Sequence, residues 1–137
     1  MKQLILLGAI LLTAAQSPAQ SNAPVRLAVI ADSPGAATAA DLLTAGLSRN
    51  PKFQLLERNE IDKVFREQAM SAGNRDYLKL GRILGTDGIF LLAIDRTKSE
   101  TNLNTRLIAV KPGVILTGGN AAWPPSEIRL WAGSVAA

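Results

Sequence analysis

Ile89 to Ile94 reads IFLLAI, a run with no polar residue on either alternating face. Strand side chains alternate between two faces, so a strand that is apolar at every position must be covered on both sides. This stretch therefore belongs in the middle of a sheet with helices above and below, and a hairpin with one wet face is excluded. Gly88 opens the run and Asp95-Arg96 closes it. The remaining segments have to supply the neighbours and the cover.

Val25 to Ala31 (VRLAVIA) has the β-branched, apolar character of a strand. A helix should follow at once: Ser33 can cap it, Pro34 suits its first turn, and Ala39, Leu42, Leu43, Gly46 and Leu47 share a face. Asn50-Pro51 stops it, and Phe53 to Leu56 forms a short second strand. The second helix is expected to start near Glu60, with Asn59 as its cap, Asp62 near the positive end of its dipole, and Ile61, Val64, Phe65, Gln68 and Ala69 as its stripe. After a break at Gly73-Asn74, Arg75 to Leu84 reads as a third helix with Gly85 as a left-handed terminator.

Beyond the central run, Leu103 to Val110 and Val114 to Leu116 form two strands joined by a tight turn at Lys111-Pro112-Gly113. Gly118-Gly119-Asn120 reads as a flexible turn and Trp123-Pro124-Pro125 redirects the chain. Ser126 caps a last helix whose Ile128, Trp131 and Val135 share a face. The order β-α-β-α-α-β-β-β-α predicts an α/β fold with a mixed sheet of about five strands flanked by helices, parallel early and antiparallel late.

The chain's 137 residues suit one domain, once the start is set aside. Lys2 precedes an apolar run from Leu4 to Leu12, too short for the roughly 20 residues that cross a bilayer, so residues 1–19 read as a secretory signal peptide. Cleavage fits after Ala19, with Thr13-Ala14-Ala15 as a second candidate. Residues 20–24 form a linker and residues 25–137 a single domain, expected in the periplasm or secreted. The chain has no cysteine, so it lacks the residue that a bacterial lipoprotein acylates, and it has neither a disulfide nor a thiol nucleophile. The last helix reaches Ala137 without a basic last turn or a terminator, which leaves a truncated form of a longer protein open.

Leu55 to Gln68 (LLERNEIDKVFREQ) is the densest run of charge. Asp62 with Arg66, Lys63 with Glu67 and Glu60 with Lys63 are spaced to pair along a helix, each pair contributing about 0.2–0.5 kcal/mol. Such spacing describes a solvated helix face, since a reactive site needs groups that converge and lose water. The net charge of +4 is carried by scattered residues with few aromatics among them, which argues against nucleic acid as a partner.

With no histidine, serine triads and most zinc hydrolases are excluded, and no cofactor is expected. Asp32 and Asp95 each follow a strand, and parallel neighbours would bring them to one sheet edge as a cation site or an acid/base pair. The alternative is that Asp32 helps cap the first helix and Asp95 begins a turn. Gly81, Gly85 and Gly88 match no dinucleotide fingerprint. Trp123 and Trp131 are candidates either for anchoring a partner or for filling the core, and Val114 marks a candidate edge strand.

LAVI (Leu27–Ile30), FQLLERNEIDKVFREQ (Phe53–Gln68) and LGRILGTDGIFLL (Leu80–Leu92) together resemble the curli production assembly/transport component (CsgG-like) family. That family is related to the amino-terminal domain of TolB and to lipoprotein activators of penicillin-binding proteins. Leu56-Glu57-Arg58, Glu67-Gln68, Leu80-Gly81 and Leu84-Gly85-Thr86-Asp87 stand where its motifs fall, with Thr86 in place of the usual alanine. The resemblance implies a non-enzymatic domain that contacts envelope or secretion proteins, or further copies of itself. A transmembrane strand needs about 9–11 residues with a continuous apolar face, so the short late strands argue against the family's pore. Trp123, Trp131 and Val114 are the expected partner-binding residues; an enzyme using Asp32 and Asp95 is the alternative.

Overall fold

The computed structural model describes residues 23–68, 76–123 and 128–137. In it the apolar run forms β3 (Gly88–Arg96), the central strand of a five-stranded sheet. The other strands are β1 (Val25–Ala31), β2 (Phe53–Leu55), β4 (Thr101–Ala109) and β5 (Val114–Ala122), in the spatial order β2-β1-β3-β4-β5. β1 pairs in parallel with β2 and β3, whereas β3–β4 and β4–β5 are antiparallel. The helices are α1 (Ala37–Leu47), entered through a 3-10 turn at Pro34–Ala36, then α2 (Arg58–Glu67), α3 (Tyr77–Leu84) and α4 (Ile128–Ala136). The mixed α/β architecture and the element order follow the sequence expectation.

Alternation along β3 divides the interior in two. Ile89 and Leu91 join Ala28, Ile30, Leu56, Ile61, Leu80 and Val110 in a cluster beneath α2 and α3. Phe90 and Leu92 join Ala36, Ala39, Ala40, Leu43, Leu47 and Leu103 in a second cluster on the opposite face, beneath α1. Ile89 and Leu92 are fully buried on opposite sides of one strand, which is the cover its sequence demanded. α4 rests on α1, where a Cβ on Gly46 would come within 3.2 Å of the Ala136 Cβ, so small residues set the approach of the two helices.

The LGTD segment resolves into backbone tasks. Gly85 sits at φ 64, the left-handed cap of α3. Thr86 directs both its N–H and its hydroxyl to the Gly81 carbonyl, at 3.0 and 3.2 Å. Asp87 then clamps β1: the Arg26 N–H donates to its Oδ2 at 2.9 Å, and its own N–H donates to the Arg26 carbonyl at 2.8 Å.

Several local expectations change. α2 begins at Arg58 with Glu57 at its cap position, so Asn59 lies inside the first turn and does not cap it. The Glu57-Arg58 stretch is free to turn helical as soon as β2 ends, because Leu56 keeps a ladder bond from its N–H to the Leu27 carbonyl. Ser33 caps nothing with its side chain; its Oγ accepts the Ile94 N–H at 3.1 Å and ties the first loop to β3. Gly118-Gly119-Asn120 is not a turn but the middle of β5, opposite Arg106, Thr105 and Asn104, so β4 and β5 each run nine residues and their length does not argue against a membrane-spanning hairpin. A Cβ on Gly119 would stand 3.0 Å from the Thr105 Oγ1, and the Asn120 side-chain amide donates to the Asn104 Oδ1 at 3.0 Å, so small size and a cross-strand bond fix a segment whose propensity is poor. The Gly73-Asn74 break, the Arg75 helix start, Ala69 and the Ser126 cap lie outside the described residues, as do residues 1–22.

Candidate functional site

Two places invite contact, the outer edge of β5 and the crevice at the carboxyl end of β1. The sheet has two edges of unequal length. On one side β2 is only three residues long. On the other, β5 runs nine residues, and its outer backbone groups meet no strand among the described residues. β5 is exposed along nearly its whole length. Ile115 and Leu116 are each 61% exposed and Val114 45%. The ladder shifts between Leu107 and Ile108, which pair with Thr117 and Ile115, so Leu116 is an extra bulged residue. Residues 114–122 include neither a charge nor a proline, the usual devices that blunt an edge.

Val114 heads this strand, while Trp123 follows its far end, about 30 Å away at strand rise. The Trp123 backbone N–H donates to the Thr101 carbonyl at 2.8 Å. Both Trp123 and Trp131 are half-buried and pack with Val135 and Ala136 against the cluster beneath α1. The structure thus brings the two tryptophans together and leaves Val114 apart. Sequence reasoning passed over the most exposed large apolar side chains among the described residues, Ile115 and Leu116 on β5 and Leu130, at 67%, on α4. An uncharged run flanking a double glycine was the available signal.

The crevice has a volume of about 430 Å³ and is lined by Asp32, Ser33, Pro34, Arg58, Asp62 and Phe65, among others. The Tyr77 hydroxyl donates to the Asp32 carboxylate from the start of α3. Arg58, on the opposite rim, pairs with Asp41 of α1 at 3.0 Å. Asp95 stands farther along: Ala31 is level with Leu92, so Asp32 is level with Ala93 and Asp95 lies two residues beyond, about 6–7 Å along the strand. Asp95 is exposed and pairs in the ladder with Asn102. Among the described residues no group of three or more acids is placed to hold a metal ion.

The charged run of α2 is a solvated face. Of its expected pairs only Lys63–Glu67 forms, at 3.8 Å between side chains more than half exposed. Exposed pairs of this kind contribute about 0–1 kcal/mol. No helix among the described residues is long and apolar enough to cross a membrane.

Comparison with known proteins places this architecture. Solved structures with the same fold include the LpoB C-terminal domain from Escherichia coli, at 20% identity over 76% of this chain and 85% of that one, with a TM-score of 0.56. Lipoprotein GNA1162 from Neisseria meningitidis is also 20% identical, over 82% of this chain and 91% of that one, at 0.56. TolB from Acinetobacter baumannii is 18% identical over 83% of this chain but only 26% of its own length, again at 0.56. No curated protein matches in sequence. A model of the curli production assembly/transport component CsgG matches residues 16–101, which include β1, β3 and the LGTD segment. The chain belongs to the CsgG family.

Proposed function

We propose that this protein is a non-enzymatic periplasmic domain that works by protein contact in envelope assembly or secretion. The observation that carries the reading is the outer edge of β5, nine residues long, uncharged and exposed, on a sheet whose middle is covered on both faces. Such an edge can take a partner's strand through backbone hydrogen bonds, with affinity that needs no signature side chain. Val114 begins that surface, Trp123 follows its far end, and Trp131 packs against the same cluster as Trp123, with the exposed Leu130 next to it in sequence. Family membership and the absence of histidine and cysteine support a contact role over a catalytic one.

The test is capture from a bacterial envelope extract with the folded protein as bait, compared with Leu116→Lys and Leu130→Lys. Both positions are exposed, so these changes leave the core intact. The reading expects a captured protein that at least one variant loses. Nothing above background, or the same capture with both variants, refutes it.

A second reading, a small-ligand or cation-binding enzyme, draws on the crevice that holds Asp32. It expects Mg²⁺ or Ca²⁺ at millimolar concentration to raise the melting temperature by mass action, and Asp32→Asn to abolish the rise.

A further inference from the structure

We infer that the outer edge of β5 pairs with the same strand of a second copy, antiparallel, about a two-fold axis through Gly118. The inference rests on reading β5 as a contact surface and specifies the occupant. Its first support is the order of residues along the strand. Val114, Ile115, Leu116 and Thr117 are large or branched, whereas Gly119, Asn120, Ala121 and Ala122 are mostly small. A dyad at Gly118 lays the bulky half of each copy against the small half of the other, so the two strands can approach without large side chains crowding directly opposite one another.

Face matching gives the register. Thr117 and Gly119 share the faces of Leu107 and Thr105, while Ile115 and Asn120 share those of Ile108 and Asn104. With Leu116 bulged out, Thr117 meets Gly119 of the second copy, Ile115 meets Asn120 and Val114 meets Ala121, each pair on one face. Gly118 meets its own symmetry mate.

No charge on the strand opposes the approach. Residues 114–122 are uncharged, and the nearest cation to the axis is Arg106, one strand inward and opposite Gly118. The two Arg106 side chains would stand three strand spacings apart, about 14 Å, which exceeds the screening length of about 8 Å at physiological salt. The seven residue pairs would share about six to eight backbone hydrogen bonds, within the spread of protein interfaces. At about 30 Å² per interface residue, however, the two strands bury only roughly 500–600 Å² in total, about a third of a standard stable interface. The dimer is therefore expected to be weak and concentration-dependent.

The natural absence of cysteine gives a direct test. Across an antiparallel pair the two Gly118 Cα atoms would lie about 4.5–5.5 Å apart, inside the range that a disulfide spans. A Cβ at this position stands 3.4 Å from the Thr105 carbonyl, so Gly118→Cys fits the folded strand. Ala122→Cys is the control, because the two copies of that position would be about 27 Å apart. Under mild oxidation, Gly118→Cys should form covalent dimers at least about tenfold faster than Ala122→Cys, at concentrations where wild type sediments as a mixture of monomer and dimer. Ile115→Lys in the natural chain should weaken the dimer about tenfold or more, with an unchanged circular-dichroism spectrum. A wild type that stays monomeric to several hundred micromolar, or equal cross-linking of the two cysteine variants, overturns the inference. A monomer that still captures an envelope protein through Leu116 overturns the self-pairing alone and leaves the proposed function standing.

Discussion

Gly81→Ala is the sharpest test of how α3 sits on the sheet. Replacing a glycine within a helix by alanine ordinarily stabilises by about 0.5–1 kcal/mol, because glycine loses more backbone freedom on folding. Here the added Cβ would stand 2.5 Å from the Val110 Cγ2 and 2.9 Å from the Ile89 Cδ1. The Ile89 contact is with the far end of a side chain that can swing, but Val110 is β-branched, 4% exposed and held to one rotamer well. Overpacking of that kind costs about 1–3 kcal/mol, which exceeds the helix gain. The net expectation is a loss of about 1–2 kcal/mol, or roughly 4–8 °C in melting temperature for a chain of this size. Urea unfolding followed by far-ultraviolet circular dichroism measures it, with an unchanged m-value confirming that only stability moved. Val110→Ala alone should also destabilise, by about 1–2 kcal/mol, through lost burial and a cavity. In the double variant the new methyl occupies the space just vacated, so the two effects should fall short of additivity by about 1 kcal/mol. A Gly81→Ala protein at least as stable as wild type, or strictly additive effects, would show that α3 does not approach β3 as closely as described.

Further outcomes follow from single contacts. Ser33→Ala should cost about 1–2 kcal/mol by orphaning the half-buried Ile94 N–H, whereas Asn59→Ala should change stability by less than about 0.5 kcal/mol because Asn59 caps nothing; chemical denaturation separates them. Gly85→Ala should lose about 1 kcal/mol, since its φ of 64 disfavours any Cβ and the new methyl would meet the Arg26 Nη1 at 3.2 Å. Asp87→Ala should loosen the β1–β3 clamp by about 1 kcal/mol, seen as faster amide exchange at Arg26. Glu67→Ala should leave stability within about 0.5 kcal/mol, since its partner Lys63 is largely solvated.

The centre of the fold was legible because one physical demand governs it. IFLLAI cannot face water on either side, and its covered position follows from that alone. Gly85 was legible for a similar reason: a glycine after the last apolar position of a helix has one common use. The losses came where local preference and tertiary pairing disagree. Gly118-Gly119 has the propensity of a turn, and only the neighbouring strand, with Thr105 crowding the position of a Cβ, makes it a strand. Ser33 stands before a helix as a cap would, yet the arrival of β3 beside it offers a backbone N–H that the sequence, read locally, does not show. Spacing along α2 permits three ion pairs and solvent leaves one, while the Arg58–Asp41 pair crosses between helices whose proximity no local pattern reveals.

The same division explains why a site was hard to read. A chemical site advertises itself through residue types, because catalysis and metal binding need particular atoms. A strand edge presents only backbone, which every sequence has, and what distinguishes a receptive edge is what it omits: lysine, proline and early termination. β2 is closed by ending after three residues, with the helix of Arg58 and Asn59 following directly. β5 continues for nine with none of those devices apart from the Leu116 bulge. An edge of that length is an aggregation hazard for a protein that never meets a partner, and a lasting hazard of that kind is difficult to reconcile with an otherwise well-charged surface. On the proposed reading the edge is covered in use, and charging it is then expected to cost the fold little and the protein its contacts.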